Sequence, residues 1–193
     1  MFLKRNRELE ILTFYLGDYA NRFYLREISK RAGMPLKTTR TVTTSLEKSG
    51  VLKSNVVGKN KFFKLNMNNT QTKFYLLQAE VHKTISFLEK YPVFKTFLKD
   101  VKTDDALIVF GGFAKFATDE DSDLDLLIIS KEKTTYPFYL IPYKVQKIEL
   151  SERAFFKALE GQETLIKEIE ENHIVLNGHS FYANAMWGYY GTQ

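Results

Sequence analysis

The stretch that decides the reading is GGFAKFATDEDSDLDLLIIS, Gly111 to Ser130. It opens on a glycine pair, packs five carboxylates into residues 119–125, and closes in an apolar run. Leu124–Ile129 has the length and composition of a buried strand. Side chains alternate between the two faces of a strand. Asp123 and Asp125 therefore project to one side and Leu124 to the other. Two carboxylates held side by side repel, and a divalent cation between them removes the repulsion. All-oxygen ligation favours Mg²⁺ or Mn²⁺ over zinc. The alternative is a solvated loop entering a strand. Asp119, Glu120 and Asp121 read as solvated acidic loop.

Working upstream, Ala106–Phe110 is a second apolar strand, and Gly111-Gly112 joins it to a brief helix ending near Phe116. Without Cβ atoms the backbone can approach a ligand closely, and N–H groups at a helix start attract anions. Either feature alone is weak. Strand, glycine pair, helix, acidic loop, DxD and strand in that order describe a site for a metal-chelated nucleoside triphosphate. Working downstream, KVQKIEL (Lys144–Leu150) alternates and reads as a third strand. Ser151 caps a helix that buries Phe155, Phe156 and Leu159. A helix over Glu163–Glu171, a short strand at Ile174–Leu176, a turn at Asn177-Gly178 and a helical piece over Phe181–Trp187 follow. Strands and helices alternate, so this half is α/β.

The first third differs. Residues near 4–17 read as a helix, and Leu25, Ile28 and Ala32 mark a second one, which Gly33 ends. Pro35 opens a third helix that buries Val42 and Leu46. Val51–Val57 and Lys61–Leu65 form a hairpin around Gly58-Lys59-Asn60. This is the order of a winged helix-turn-helix. A helix over Thr70–Tyr91 follows, with a seam of Phe74, Leu77, Val81, Ile85 and Leu88. The seam packs within the chain or, as the alternative, on a second copy of it. The expected organisation is a winged helix at residues 1–66, a linker helix at 67–92 and the α/β domain at 93–193, an α+β chain overall.

GGFAKFATDEDSDLDLL resembles the DNA polymerase β-like nucleotidyltransferase superfamily, most of all its small stand-alone members, whose usual form is close to GSxARGxxxxxSDxDLLV. Gly111, Ala114, Ser122, Asp123, Asp125, Leu126 and Leu127 fall at matching spacing. The resemblance covers roughly residues 93–187 and implies transfer of an NMP from an NTP to an acceptor hydroxyl. It implies Mg²⁺ on Asp123 and Asp125, nucleotide contacts at Gly111, Gly112, Lys115 and Ser122, and a third carboxylate on a neighbouring strand. Glu149 in KVQKIEL is the candidate, with an exposed strand residue as its alternative. Gly112 stands for the common Ser, Lys115 for Arg, and Phe116 for a usual Gly, which would crowd the nucleotide. Such transferases often act beside a separate helical partner protein. A domain that only senses nucleotide, or has lost it, is the competing reading.

Charge separates the two halves. Residues 1–66 carry a net +9 and the remainder −4. A basic segment of this kind suits duplex DNA, with Lys37, Thr38, Arg40, Thr41 and Thr44 on the third helix entering a groove and Lys59 and Lys61 at the hairpin tip on the backbone. Winged helices also serve as protein-interaction modules, and a threonine-rich helix is otherwise a plain surface. At 44% hydrophobic and 15% aromatic, the chain builds real cores. It has no Cys, which excludes disulfides and thiolate metal sites and fits a reducing, cytoplasmic setting. No apolar stretch is long enough to span a membrane, and MFLKRNRELEILTF breaks its apolar run too early for a signal peptide.

Overall fold

The computed structural model describes residues 6–119, 122–132 and 134–191. Glu120 and Asp121 of the acidic loop, and the first residues of the expected N-terminal helix, lie outside them. Nine α-helices and two sheets among the described residues make an α+β fold. The chain divides into two units. One runs to Ala79 and takes in Tyr190, and the other is Glu80–Tyr189.

The first unit starts with α1 (Arg7–Leu12), which passes into a 3-10 turn, Thr13–Tyr15. Asn6 caps α1 by accepting from Leu9 N–H at 3.2 Å. Strand β1 (Arg22–Tyr24) precedes α2 (Leu25–Ala32) and α3 (Leu36–Lys48). The sequence pattern had missed β1, because three residues are too few to show a period. Gly33 ends α2 in the left-handed region. Strands β2 (Leu52–Val57) and β3 (Asn60–Leu65) pair antiparallel, and β1 adds to β3 in the order β1-β3-β2. Ile11, Leu12, Tyr15, Ile28, Leu46 and Phe63 are buried together with less than one-tenth exposure, and the Tyr15 hydroxyl donates to Phe63 C=O at 3.0 Å.

Two expectations about α3 and α4 (Thr70–Lys90) are corrected. On α3, Val42 is only half-buried, and Thr39 and Thr43 join Leu46 on the inner face. Their hydroxyls bond back to carbonyls one turn earlier, Thr43 to Thr39 at 2.9 Å and Thr39 to Pro35 at 3.2 Å, so burial leaves no hydroxyl unpaired. On α4 the expected seam faces outward in part, with Phe74 54% and Val81 39% exposed. Thr72, Leu76, Ala79, Glu80, Thr84 and Phe87 are the buried positions. Thr72 donates to Asn66 C=O at 2.9 Å, and Glu80 meets His173 at 3.0 Å. Polar residues with dedicated partners displaced apolar ones from the inner face. The division between the units falls within α4.

The second unit continues with α5 (Val93–Asp100), β4 (Ala106–Phe110), α6 (Gly111–Ala114), β5 (Leu124–Ile129), β6 (Val145–Leu150), α7 (Glu152–Glu160), α8 (Thr164–Glu171), β7 (Ile174–Asn177) and α9 (His179–Gly191). The sheet order is β6-β5-β4-β7, with β5 and β6 parallel and the other pairs antiparallel. Phe87, Tyr91, Phe94, Phe97 and Phe113 pack with Leu124, Leu126 and Ile128 on one face. Each fully buried side chain of this size contributes about 1.5–3 kcal/mol of apolar burial. Ser151 caps α7 as expected, accepting from Ala154 N–H at 3.2 Å. Phe156, expected inside, is 39% exposed, while Phe155 and Leu159 are buried.

Candidate active site

The site forms where β4 and β5 meet. Their antiparallel register sets Phe110 opposite Asp125, so the turn into α6 starts beside the Asp125 carboxylate. Gly111 has φ +65, a left-handed conformation. A Cβ at Gly111 would also collide with Asp125 Oδ2. Both requirements select glycine. Gly112 is different, because a Cβ there would meet Ala117 O at 3.6 Å, an ordinary contact. The serine of the usual family form therefore has room at this position. Helix α6 is only four residues long. The anion attraction expected of a helix start reduces here to the backbone N–H groups of the turn.

Leu124 is buried in the aromatic core, and Asp123 and Asp125 flank it on the opposite face of β5. Asp123 Oδ2 accepts from Gln146 Nε2 at 2.6 Å and from Lys144 Nζ at 3.2 Å. These donors, Gln146 first and Lys144 second, hold the Asp123 carboxyl below its ordinary range. Asp125 is shifted the other way. Partial burial raises it most, followed by the charges of Glu168 and Asp123. Glu168, on the exposed side of α8, is an acidic neighbour that sequence spacing did not single out, since only the folded chain brings it near β5.

Glu149 does not join the pair. In the parallel register of β5 and β6, Gln146 lies opposite Asp125 and Glu149 opposite Ile128. Paired residues share a face, so Glu149 sits on the face of Leu126 and Ile128. Its neighbours agree with this placement. Lys147 Nζ donates to Glu149 Oε1 at 2.6 Å and lies over the Phe138 ring, which packs on the aromatic core. A one-residue difference in parity separates Glu149 from the acidic pair.

The other expected residues are placed as follows. Ser122 Oγ donates to Asp119 Oδ1 at 2.7 Å and accepts from Asp119 N–H at 2.9 Å, closing the acidic loop. Lys115 is exposed just after α6. Phe116, where the family form has Gly, keeps the left-handed backbone with φ +57. Holding a bulky side chain there costs on the order of 1–3 kcal/mol. Its ring turns away from the acidic pair and packs on Tyr91 and Phe87, at 6.3 and 6.2 Å between centroids. The ring thus belongs to the aromatic cluster that packs on Leu124. Lys90, which the sequence did not single out, donates to Phe116 C=O at 2.7 Å, and Tyr91 OH meets Thr118 Oγ1 at 2.9 Å. Together they pin the loop after α6.

In the first unit, Lys37, Arg40 and Thr41 are exposed on α3, and Thr38 and Thr44 are half-buried. Lys59 is exposed in the β2–β3 turn. Lys61 is exposed but committed, its ammonium lying 2.8 Å from Glu47 Oε2.

Residues 93–177 match the family model of the nucleotidyltransferase domain. This supports nucleotidyl transfer as the general chemistry of the second unit, within which the matched segment lies. Neither the curated proteins nor the solved structures give a match to this chain. The family generally uses a divalent metal. Asp125, raised first by partial burial and then by the charges of Glu168 and Asp123, is a donor that a cation would relieve. Among the described residues, no group of three or more His, Cys, Asp or Glu side chains is placed to hold a metal. No helix among the described residues is long and apolar enough to cross a membrane.

Proposed function

We propose that the second unit binds a nucleoside triphosphate at Gly111, Gly112, Lys115 and Ser122, transfers its NMP to an acceptor hydroxyl with release of pyrophosphate, and is joined to a DNA-binding winged helix. The observation that carries the reading is the Gly111–Asp125 corner. A Cβ-free left-handed residue faces a carboxylate whose partner, Asp123, shares its side of β5. Asp123 and Asp125 would hold Mg²⁺ or Mn²⁺. Such an ion supplies charge neutralisation on the triphosphate and a more acidic hydroxyl. Backbone N–H groups at Gly111 and Gly112 bind phosphate oxygens, Lys115 balances their charge, and the Ser122–Asp119 bonds keep the loop in place.

The test is incubation of the full chain with each α-labelled NTP, Mg²⁺ and cell extract. Wild-type protein labels an acceptor, and Asp125→Asn, nearly isosteric, loses the transfer by orders of magnitude. No labelling with any nucleotide would overturn the reading. A second reading, a nucleotide sensor without transfer, draws support from Gln146 standing where a third carboxylate is expected. Under it, Mg²⁺–NTP binds and changes DNA affinity, and Asp125→Asn abolishes that coupling.

The DNA-binding part draws support from the +9 charge of residues 1–66, the exposure of Lys37, Arg40 and Thr41, and the α2, α3, β2, β3 order with β1 closing the sheet. Duplex binding that falls steeply with salt is the expected behaviour, because cationic side chains displace counterions. Absence of binding at low salt would leave a protein-interaction role.

A further inference from the structure

We propose that the acidic pair takes a single divalent cation, and that Gln146, seconded by Lys144, fills the place from which a third carboxylate would complete a second cation site. The inference rests on the reading of the pair as a nucleotide site and concerns its stoichiometry.

The argument starts from register. Strand β6 runs parallel to β5, with Leu124 opposite Val145, Asp125 opposite Gln146 and Leu127 opposite Ile148. Leu124 N–H donates to Lys144 C=O at 2.8 Å, which carries the pairing back to the start of β5. The residues of this segment sharing the face of the acidic pair are therefore Lys144, Gln146 and Ile148, and none is a carboxylate. Glu149 is excluded by parity.

What stands there instead is donating. The Asp123 carboxylate can only accept, so Gln146 turns its N–H toward it, at 2.6 Å. Lys144 adds an ammonium at 3.2 Å. The Lys144 side chain is 76% exposed, so it can swing away when a cation arrives, and its pairing with Asp123 is weak. Gln146 is also exposed, but its position opposite Asp125 is set by the β5–β6 ladder, and its bond to Asp123 is the shorter of the two. Two divalent cations a few ångströms apart repel strongly and need anionic ligands around both. Two carboxylates facing an amide and an ammonium supply enough negative charge for one cation beside a triphosphate. Glu168 of α8 is felt electrostatically at Asp125 but forms no ligating group with the pair.

The test counts Mn²⁺ bound to the full chain with a non-hydrolysable NTP analogue, by equilibrium dialysis and by electron paramagnetic resonance, where two neighbouring Mn²⁺ ions couple. Nucleotide binding is measured separately by calorimetry. The expected result is one uncoupled Mn²⁺ per chain in the wild type and two coupled ions in Gln146→Asp. Gln146→Glu serves as the second variant should the aspartate fail to fold. Two coupled ions in the wild type would overturn the inference while leaving the nucleotide site standing. A folded Gln146→Asp or Gln146→Glu that still holds one ion would also overturn it. An analogue that does not bind at all defeats the nucleotide-site reading itself, and this inference with it.

Discussion

The outer face of α3 and the Gly111–Asp125 corner invite comparison because each carries its proposed task by a different physical means. On α3 the candidate residues Lys37, Arg40 and Thr41 are exposed and their backbone is ordinary helix. Any of them can be exchanged without disturbing the fold, and what they offer a partner is charge. At the corner the backbone itself is committed. Gly111 and Phe116 both hold positive φ, and Asp125 occupies the space a Gly111 side chain would need. Geometry defines that site, and charge there is a problem the fold leaves unresolved. The comparison teaches that substitutions should be tolerated structurally on α3, while at the corner an added side chain on Gly111 should be punished.

The largest expected effect is the loss of transfer in Asp125→Asn, by orders of magnitude in a labelled-NTP assay. An Asp125→Asn protein with undiminished transfer would break the comparison at its strongest point. Next is Gly111→Ala. The left-handed backbone alone costs about 1–2 kcal/mol for an L-residue, and displacing the Asp125 carboxylate adds to it. Urea denaturation should show that loss together with weakened nucleotide binding. Gly112→Ser, whose Cβ would make only ordinary van der Waals contacts, should do neither. If both glycines behave alike, the corner is not the constrained element described.

Arg40→Ala should leave thermal stability unchanged and weaken DNA binding, lowering the slope of log affinity against log salt by about 1 if Arg40 meets one phosphate. Lys61→Ala should cost less binding than Arg40→Ala, because the Lys61 ammonium is already paired with Glu47. A larger effect at Lys61 would shift the contact surface toward the hairpin.

The smallest effect concerns pH. Asp125 ionises less readily in the folded chain than in the unfolded one, so its contribution is favourable below the ordinary carboxylate range. That contribution is lost as pH rises through its raised value. In metal-free buffer Asp125→Asn should therefore melt slightly higher than wild type at neutral pH, with the gap closing in acid. Asp123 has the opposite sign. Its contribution is present above the ordinary range and lost as pH falls through its lowered value, so Asp123→Asn should melt no higher than wild type at neutral pH. Thermal melts across pH 3 to 8, at roughly one-unit steps spanning the carboxylate range, check both. Added Mg²⁺ should reverse the Asp125→Asn advantage by stabilising only the wild type.

Several of these residues were legible from local pattern. The spacing Gly111, Ser122, Asp123, Asp125 and the apolar run after it determined a strand carrying an acidic pair on one face, because alternation along a strand is a property of the backbone. The helix stop at Gly33, the cap at Ser151 and the β2–β3 hairpin followed from equally local chemistry. What tertiary structure alone decided is which of two alternating sets on KVQKIEL faces the pair. The alternation was visible, but its phase is set by the pairing of Leu124 with Val145. That phase put Gln146 where Glu149 had been expected. The outer face of α4 has the same explanation. A seam of Phe74, Leu77 and Val81 satisfies helical periodicity, yet the buried line goes through Thr72, Glu80 and Phe87, whose polar members find partners at Asn66 and His173. Periodicity ranks faces by hydrophobicity, while a buried hydrogen bond between residues far apart in the chain has no local signature.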